Sequence, residues 1–437
     1  MSSFFVHTFG CRCNHSDSAA IREQLARSAR TETASAAEAD LVVVNTCTVT
    51  HGTDRQVRQT VRRLRRDNPG ARLIVTGCYA ERDPAALASI RGVDLVVGNG
   101  DKERIAELAA EADGGHDAAG GRIIRTPLDD ARDYLVAPMS RTGGHTRPFV
   151  KIQDGCDAAC SYCVIPAVRG PGRSARPEDI LGEVRRLVGE GYQEIVLTGV
   201  HLGTYGLKLA EPCSLASLLR EILETPGLGR LRISSIEPMR FSREIVDLAA
   251  QRSVLARHFH IPVQTGSDSV LRRMRRPYTA ARFRALLDSI AAHVQGVCLG
   301  TDVIVGFPGE TDADFQATCA LIEDAPLAYV HVFPFSGRDG TRAWSLPHPV
   351  APAVIRERAR RLREISLRKN LAFRRQFAGR EQLALTLSVE EDMGESIVLT
   401  DNYIHARVTQ LRMPSNRLVR VRIDRVTPDA TFAELVG

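Results

Sequence analysis

The sequence predicts an α/β protein in three parts: an N-terminal doubly wound parallel-sheet domain over residues 1–120, a central partial (β/α) barrel over 145–375, and a small C-terminal β-barrel over 376–437. Three observations carry this. Strand-like and helix-like runs alternate along residues 1–112. A second, longer alternating series runs from Phe149 to Phe333. After residue 378 the helical periodicity gives way to short alternating runs. The 437 residues allow two or three domains of roughly 100–200 residues each. A composition of 43% apolar and 25% charged residues is that of a globular protein.

The first series offers strands at Phe4–Thr8, Leu41–Asn45, Leu73–Thr76 and Leu95–Val97, with helices such as Ala19–Ala29 and Lys102–Ala110 between them. Residues 113–122 read as a surface loop, and the stretch 137–147, with its Pro, Ser and Gly, as a linker; the linker is set at 121–144. The second series offers strands at Phe149–Ile152, Glu194–Leu197, Leu231–Ser234, His258–Ile261, Cys298–Val305 and Tyr329–Phe333. Its helices fall at Pro177–Val188, Leu215–Leu223, Arg243–Ala250, Ala280–Ala292 and Asp312–Glu323. Six such units fall short of a closed eight-unit barrel, so an open, partial barrel is expected. The C-terminal strands are placed at Gln382–Val389, Ser396–Leu399 and Leu418–Ile423.

The net charge is +6, a mild indication of a nucleic-acid partner. Its distribution says more. Residues 355–377 carry nine cations and two anions, and residues 55–66 carry six cations and no anion, both with apolar residues at helical spacing. A solvated helix face accounts for one such run; two in one chain point to a phosphate-bearing partner. Residues 407–425 add Arg407, Arg412, Arg417, Arg420, Arg422 and Arg425. No apolar window approaches the ~20 residues of a membrane span. The N-terminus lacks the basic-then-apolar order of a secretory signal. A cytoplasmic setting is expected, where ten cysteines imply metal or redox chemistry rather than disulfides.

Cys156, Cys160 and Cys163 stand in a C-x3-C-x2-C loop just after the first strand of the second series. Thiolates are soft ligands that select zinc, copper(I) or iron–sulfur clusters. Three are one too few for a closed structural zinc site, whereas a cubane cluster held by three leaves one iron open to a ligand. Cys11, Cys47 and Cys78 each follow a strand of the first series, about one βα unit apart. In a parallel sheet those strand ends share one edge, so the three thiols can converge on a second open site. Cys13 reads as incidental, and Cys213, Cys298 and Cys319 as small hydrophobes. Other strand ends carry Thr198, Gly199, Glu237, Gln264 and Asp302, polar or glycine positions that can line a cofactor rim.

The C-x3-C-x2-C loop with Tyr162 before its last cysteine resembles the radical S-adenosylmethionine (SAM) superfamily. Phe9-Gly10-Cys11, Asn45-Thr46-Cys47 and Thr76-Gly77-Cys78 narrow the resemblance to the methylthiotransferase family. Gln153-Asp154-Gly155-Cys156, Arg169-Gly170, His260 to Ser267 and Val305 to Thr311 extend it over nearly the whole chain. The resemblance implies that the central part is a radical SAM barrel and the last an RNA-binding TRAM domain. It implies two [4Fe-4S] clusters, one on Cys156, Cys160 and Cys163 that cleaves SAM to a 5′-deoxyadenosyl radical, with Tyr162 near the adenine. The other, on Cys11, Cys47 and Cys78, would carry sulfur that a second SAM methylates before transfer to substrate carbon. Cys47-Thr48-Val49-Thr50, Gly199 to Gly206, with Val200-His201 where the isopentenyl branch has Gln-Asn, and His331 to Ser336 resemble the branch that acts on N6-threonylcarbamoyladenosine at position 37 of tRNA. The implied partners are a tRNA anticodon stem-loop, an electron-donor protein and a sulfur source. The other branches act on isopentenyladenosine in tRNA and on an aspartate of a ribosomal protein. An alternative of another class is a non-catalytic zinc or iron–sulfur module that binds RNA. Two features depart from the family pattern: Cys13 lies inside the first cysteine motif, and residues 378–437 hold seven cations against nine anions.

Overall fold

The computed structural model describes residues 2–111, 120–128, 146–390, 395–409 and 413–436. The N-terminal part is a parallel sheet of β1 (Ser3–Thr8), β2 (Thr31–Glu32), β3 (Leu41–Thr46), β4 (Arg72–Gly77), β5 (Leu95–Val97) and β6 (Arg122–Ile124) in the order β2-β1-β3-β4-β5-β6. β3 reads Leu-Val-Val-Val-Asn-Thr and is buried at every residue, because helices cover both faces and leave no side for alternation. β6 lies within the stretch assigned from sequence to the linker. Its Arg-Ile-Ile run pairs with Leu95–Val97, extending the sheet by one strand. Residues 129–144 of that linker, and 112–119 of the expected loop, lie outside the described residues.

The central part carries β7 (Phe149–Asp154), β8 (Arg173–Ser174), β9 (Glu194–Gly199), β10 (Arg230–Ile233), β11 (His258–His260), β12 (Cys298–Val305) and β13 (Tyr329–Pro334). They form sheets ordered β10-β9-β7-β8 and β11-β12-β13, and parallel bridges Leu231–Leu255 and Ser235–His260 join the two at β10. Six strands are therefore parallel around an arc, the open barrel expected. The short antiparallel β8 was not expected; it doubles back beside the cysteine loop, pairing Gln153–Ser174 and Asp154–Arg173. Helices of alternating burial pack outside: Leu215–Leu223 begins with a Ser214/Ser217 capping box and Asp312–Asp324 with a Thr311/Asp314 box. Their apolar faces join one large core with the outward faces of the strands.

The chain then enters the helix Pro352–Arg375 and a closed barrel of β14 (Glu381–Glu390), β15 (Glu395–Thr400), β16 (His405–Val408), β17 (Leu418–Val426) and β18 (Thr431–Leu435), ordered β14-β15-β16-β18-β17. Ala384, Val398, Ala406, Val421 and Ala433 fill it. It is locked to the central barrel by charges no composition reveals. Arg230 and Arg232 on β10 are fully buried, pair with Glu194 on β9, and donate to the carbonyls of Leu383, Leu399, Thr400 and Asp401. Among the described residues no helix is long and apolar enough to cross a membrane.

Candidate active site

β1, β3 and β4 are neighbours in the sheet, so Cys11, Cys47 and Cys78 leave it from one edge. The approach depends on Gly10, at φ 96°: a Cβ there would stand 2.6 Å from Cys47 Cβ and 2.9 Å from its sulfur. Cys78 Sγ lies 3.9 Å from Asn14 Oδ1, and Asn14 donates to the carbonyls of Phe9 and Thr46, tying all three strand ends together. Burial pushes the Cys47 thiol up to about 12, with Cys78 and Cys11 adding to it as neighbouring charges. Cys11 is drawn down to about 5, chiefly by a hydrogen bond from Cys13. Cys13 is thus structural to this site rather than incidental: it is buried, supports Cys11, and its sulfur is 3.9 Å from Thr198 Oγ1 of the central barrel.

The second set lies on one loop after β7. Cys156 N donates to Gly170 O (3.0 Å), Ser161 N to Met274 O (3.1 Å) and Ala343 N to Ser161 O (2.7 Å), so main chain from three elements fixes the loop. Donors point at its sulfurs: Ala158 N is 3.4 Å from Cys156 Sγ and Arg276 Nη1 is 3.1 Å from Cys160 Sγ. Burial pushes Cys163 up to about 12 and raises Cys156 as well. Half-buried thiols of this kind give up their protons on binding a thiophilic metal. The donor set fits such a group: three soft sulfurs at each place and, at the second, N–H donors aimed at sulfur.

Between the two sets sits Arg169, on the turn of helix (Ile165–Arg169) that follows the cysteine loop. Its buried guanidinium donates to Asp154 (2.8 and 3.0 Å), to Asn14 Oδ1 (2.5 Å) and to Asp17 (3.0 Å). Lys102 and Lys151 complete the seat on Asp17, and Lys151 also on Asp154. Burial opposes the charge on Asp154, yet Arg169 and Lys151 hold its carboxyl well below the usual range. The network joins the Cys78 side of the first domain to the loop of the second.

The expected rim residues divide. Glu237 pairs with Arg276, the same guanidinium that touches Cys160, so it stands beside the cysteine loop. Tyr162 is packed among Val270, Met274, Phe307 and Ala343. Thr198 faces Cys13, and Gly199 lies flat against Gln153 and Leu202. Gln264 is buried with φ 71° and exchanges backbone hydrogen bonds with Asp302 and Ile304. Asp302 bonds to His260 and His331 on the adjoining strands. A cavity of about 330 Å³, lined by Gln153, Cys160, His201, Lys208, Met239 and Arg240, opens beside the loop, within the size range of small-ligand sites. Sequence reasoning missed Arg276 and gave Arg169 no role, since neither lies at ligand spacing.

The basic helices are partly spent on structure. Arg358 is buried on Glu310, Lys369 donates to the carbonyls of Glu323 and Ala325, and Arg374 donates to Thr431 and Pro428. In the first helix Arg65 caps Gly92 and Asp94, while Arg55, Arg62, Arg63 and Arg66 remain exposed. Arg417, Arg420, Arg422 and Arg425 are exposed on the C-terminal barrel; Arg412 lies outside the described residues.

A parallel sheet and an open barrel each present three thiols at strand ends, and the comparisons with known proteins place this arrangement among the radical SAM enzymes. The profile of the radical SAM superfamily matches residues 150–322, and that of "Uncharacterized protein family UPF0004" matches residues 3–98. The chain is 36% identical over 437 residues to the threonylcarbamoyladenosine tRNA methylthiotransferase MtaB of Bacillus subtilis, covering 97% of this chain and 94% of that one. It is 34% identical to the protein of the same name in Aquifex aeolicus, covering 95% and 98%. It is also 35% identical to the tRNA-2-methylthio-N(6)-dimethylallyladenosine synthase of a Parafrankia species, covering 86% and 76%. The fold is shared with the radical SAM methyltransferase TsrM of Kitasatospora setae, at a TM-score of 0.56, 16% identity and coverage of 76% and 73%. The chain belongs to the radical SAM methylthiotransferase family, whose cofactors are SAM and two [4Fe-4S] clusters.

Proposed function

We propose that the protein adds a methylthio group to N6-threonylcarbamoyladenosine at position 37 of a tRNA, in the cytoplasm. The observation that carries the reading is the pair of three-thiol sites joined through Arg169, together with the relatives named threonylcarbamoyladenosine tRNA methylthiotransferase, which match it over 94% and 98% of their own length. Cys156, Cys160 and Cys163 hold one cluster and Cys11, Cys47 and Cys78 the other. When bound, the first supplies the electron that cleaves SAM, and the second supplies the place where sulfur is held.

The chain's own residues do the rest. Arg276 bridges Cys160 and Glu237 and so sets the polar end of the SAM seat beside the loop. Tyr162, Thr198, Gly199 and Gln264 are the further residues assigned to that seat; Tyr162 packs among apolar side chains and Thr198 faces Cys13. Exposed arginines on β17 and on the helix His51–Asp67 meet RNA phosphates. An electron-donor protein and a sulfur source complete the reaction.

The test is to load the protein with iron and sulfide, add dithionite and SAM, and measure 5′-deoxyadenosine. The expected result is cleavage, with a methylthio mass gain on tRNA bearing threonylcarbamoyladenosine. Gain only on the dimethylallyl-bearing tRNA would move the protein to the branch of the Parafrankia relative. About one zinc per chain, without sulfide, would leave only an RNA-binding module.

A further inference from the structure

One cluster of polar side chains lies outside both thiol sites. β11, β12 and β13 are in parallel register, with His260 opposite Gly300, Gly300 opposite Tyr329 and Asp302 opposite His331. Strand alternation puts Tyr329, His331 and Phe333 on one face, while Val330 and Val332 turn to the helices. Gly300 makes the arrangement possible: a Cβ there would stand 2.1 Å from the Tyr329 ring. The phenol oxygen lies 2.8 Å from His258 Nε2 and 3.1 Å from His260 Nδ1. His260 Nε2 lies 2.8 Å from Asp302 Oδ1, and His331 Nδ1 3.3 Å from the same oxygen.

The proton order in this relay follows from its end. An ionised carboxylate only accepts, so His260 donates from Nε2 and accepts at Nδ1 from the Tyr329 hydroxyl. Tyr329 in turn accepts from His258 Nε2–H. His258 Nδ1 is then a bare acceptor, and it is buried with no partner. The relay therefore delivers a fixed negative acceptor, Asp302, at its outer end. That end opens outward: the His331 side chain is 58% exposed and Phe333 42% exposed, on the last strand of its sheet. Beyond β13, Ser336 accepts from His51 N, and Arg338 donates to Thr48 and Asp54, so the strand ends against the loop that follows Cys47. At the other side, Gln264 N donates to the Asp302 carbonyl.

We propose that Asp302 and His331 form the pocket that reads the polar substituent of the target adenine, with Asp302 accepting from a ureido N–H or hydroxyl, His331, whose Nδ1–H is turned to Asp302, accepting at Nε2 from the other of these donors, and Phe333 stacking on the base. This rests on the substrate reading above and assigns Asp302 to the substrate rather than to SAM. A threonylcarbamoyl group supplies both donors and an anion; a dimethylallyl group supplies neither and would leave Asp302 unpaired. Sites built to hydrogen-bond a substrate reject analogues that cannot, typically far more strongly than apolar pockets reject a missing methylene.

The experiment is a filter-binding titration of the full chain with three anticodon stem-loops, bearing threonylcarbamoyladenosine, dimethylallyladenosine or plain adenosine at position 37. The unaltered protein should bind the first at least about tenfold more tightly than the other two. In His331→Ala and Asp302→Asn that preference should collapse to within about threefold, with His331→Gln intermediate. A preference in the unaltered protein that survives both substitutions overturns this assignment alone. No preference in the unaltered protein overturns the substrate reading as well. Zinc or iron bound in amounts equal to the chain and lost in His331→Ala would make the cluster a metal site and overturn the pocket.

Discussion

The two thiol sites solve one problem in opposite ways. Cys156, Cys160 and Cys163 come from eight consecutive residues, and main-chain hydrogen bonds to the carbonyls of Gly170 and Met274 and from Ala343 N hold their loop. Cys11, Cys47 and Cys78 come from three strands and depend on the whole sheet, on Gly10 and on Asn14. The local site needs its loop and three main-chain anchors; the distributed site is only as sound as the domain that assembles it. The difference matters because the proposed function gives the two unequal tasks, one starting the reaction and one determining what is added.

The largest effects should separate those tasks. Cys160→Ala should bring both 5′-deoxyadenosine and methylthio product to background, whereas Cys47→Ala should still cleave SAM and yield no methylthio product. Loss of both activities in a folded Cys47→Ala protein would end the division of labour. Next comes the shared seat. Arg169→Met leaves Asp154 and Asp17 short of their buried partner, and should cost about 3–5 kcal/mol by chemical denaturation. An unchanged midpoint would mean that the two domains do not depend on one another. Gly10→Ala places a methyl group in the distributed site in a left-handed conformation and should cost about 1–3 kcal/mol. Iron after reconstitution should fall from about eight to about four per chain, the local site keeping its share. An equal loss at both sites would erase the contrast.

The smallest effect concerns pH. Burial holds His258 neutral, its pKa well below the ordinary 6.5, with Arg232, Arg12, His260 and Arg147 also disfavouring its charge. The unfolded chain takes up that proton near 6.5 while the folded one does not, so the stabilisation is full above 6.5 and declines as pH falls below it. Denaturation midpoints should drop between pH 7 and 5, less steeply in His258→Gln. Equal slopes would assign the acid sensitivity to other groups.

Much of this was legible in the sequence, and for a physical reason. Periodicity reports burial, so the six parallel strands of the central barrel show in the sequence, and the strand-end position of Cys11, Cys47 and Cys78 follows from parallel topology alone. What the sequence hides are relations across long separations between ordinary residues. Arg169 meets Asn14 across 155 positions. His260, Asp302 and His331 sit on three strands, and only the alternation Tyr329, His331, Phe333 hints at a shared face. β6 escaped because three residues beside glycines carry too little pattern. The cations of 355–377 read as an RNA-binding face, yet Arg358, Lys369 and Arg374 hold the helix against its own protein, because charge alone does not say which way a side chain points.

Arg230 and Arg232 have a mechanical consequence. To swing the C-terminal barrel, the protein would have to strip two buried guanidiniums from Glu194 and from the carbonyls of Leu383, Leu399, Thr400 and Asp401. The barrel is therefore a fixed arm rather than a tethered one. Under the proposed function, an RNA held by the exposed arginines on the barrel's far side would meet the thiols at one set reach, so that distance along the RNA would count in the choice of nucleotide.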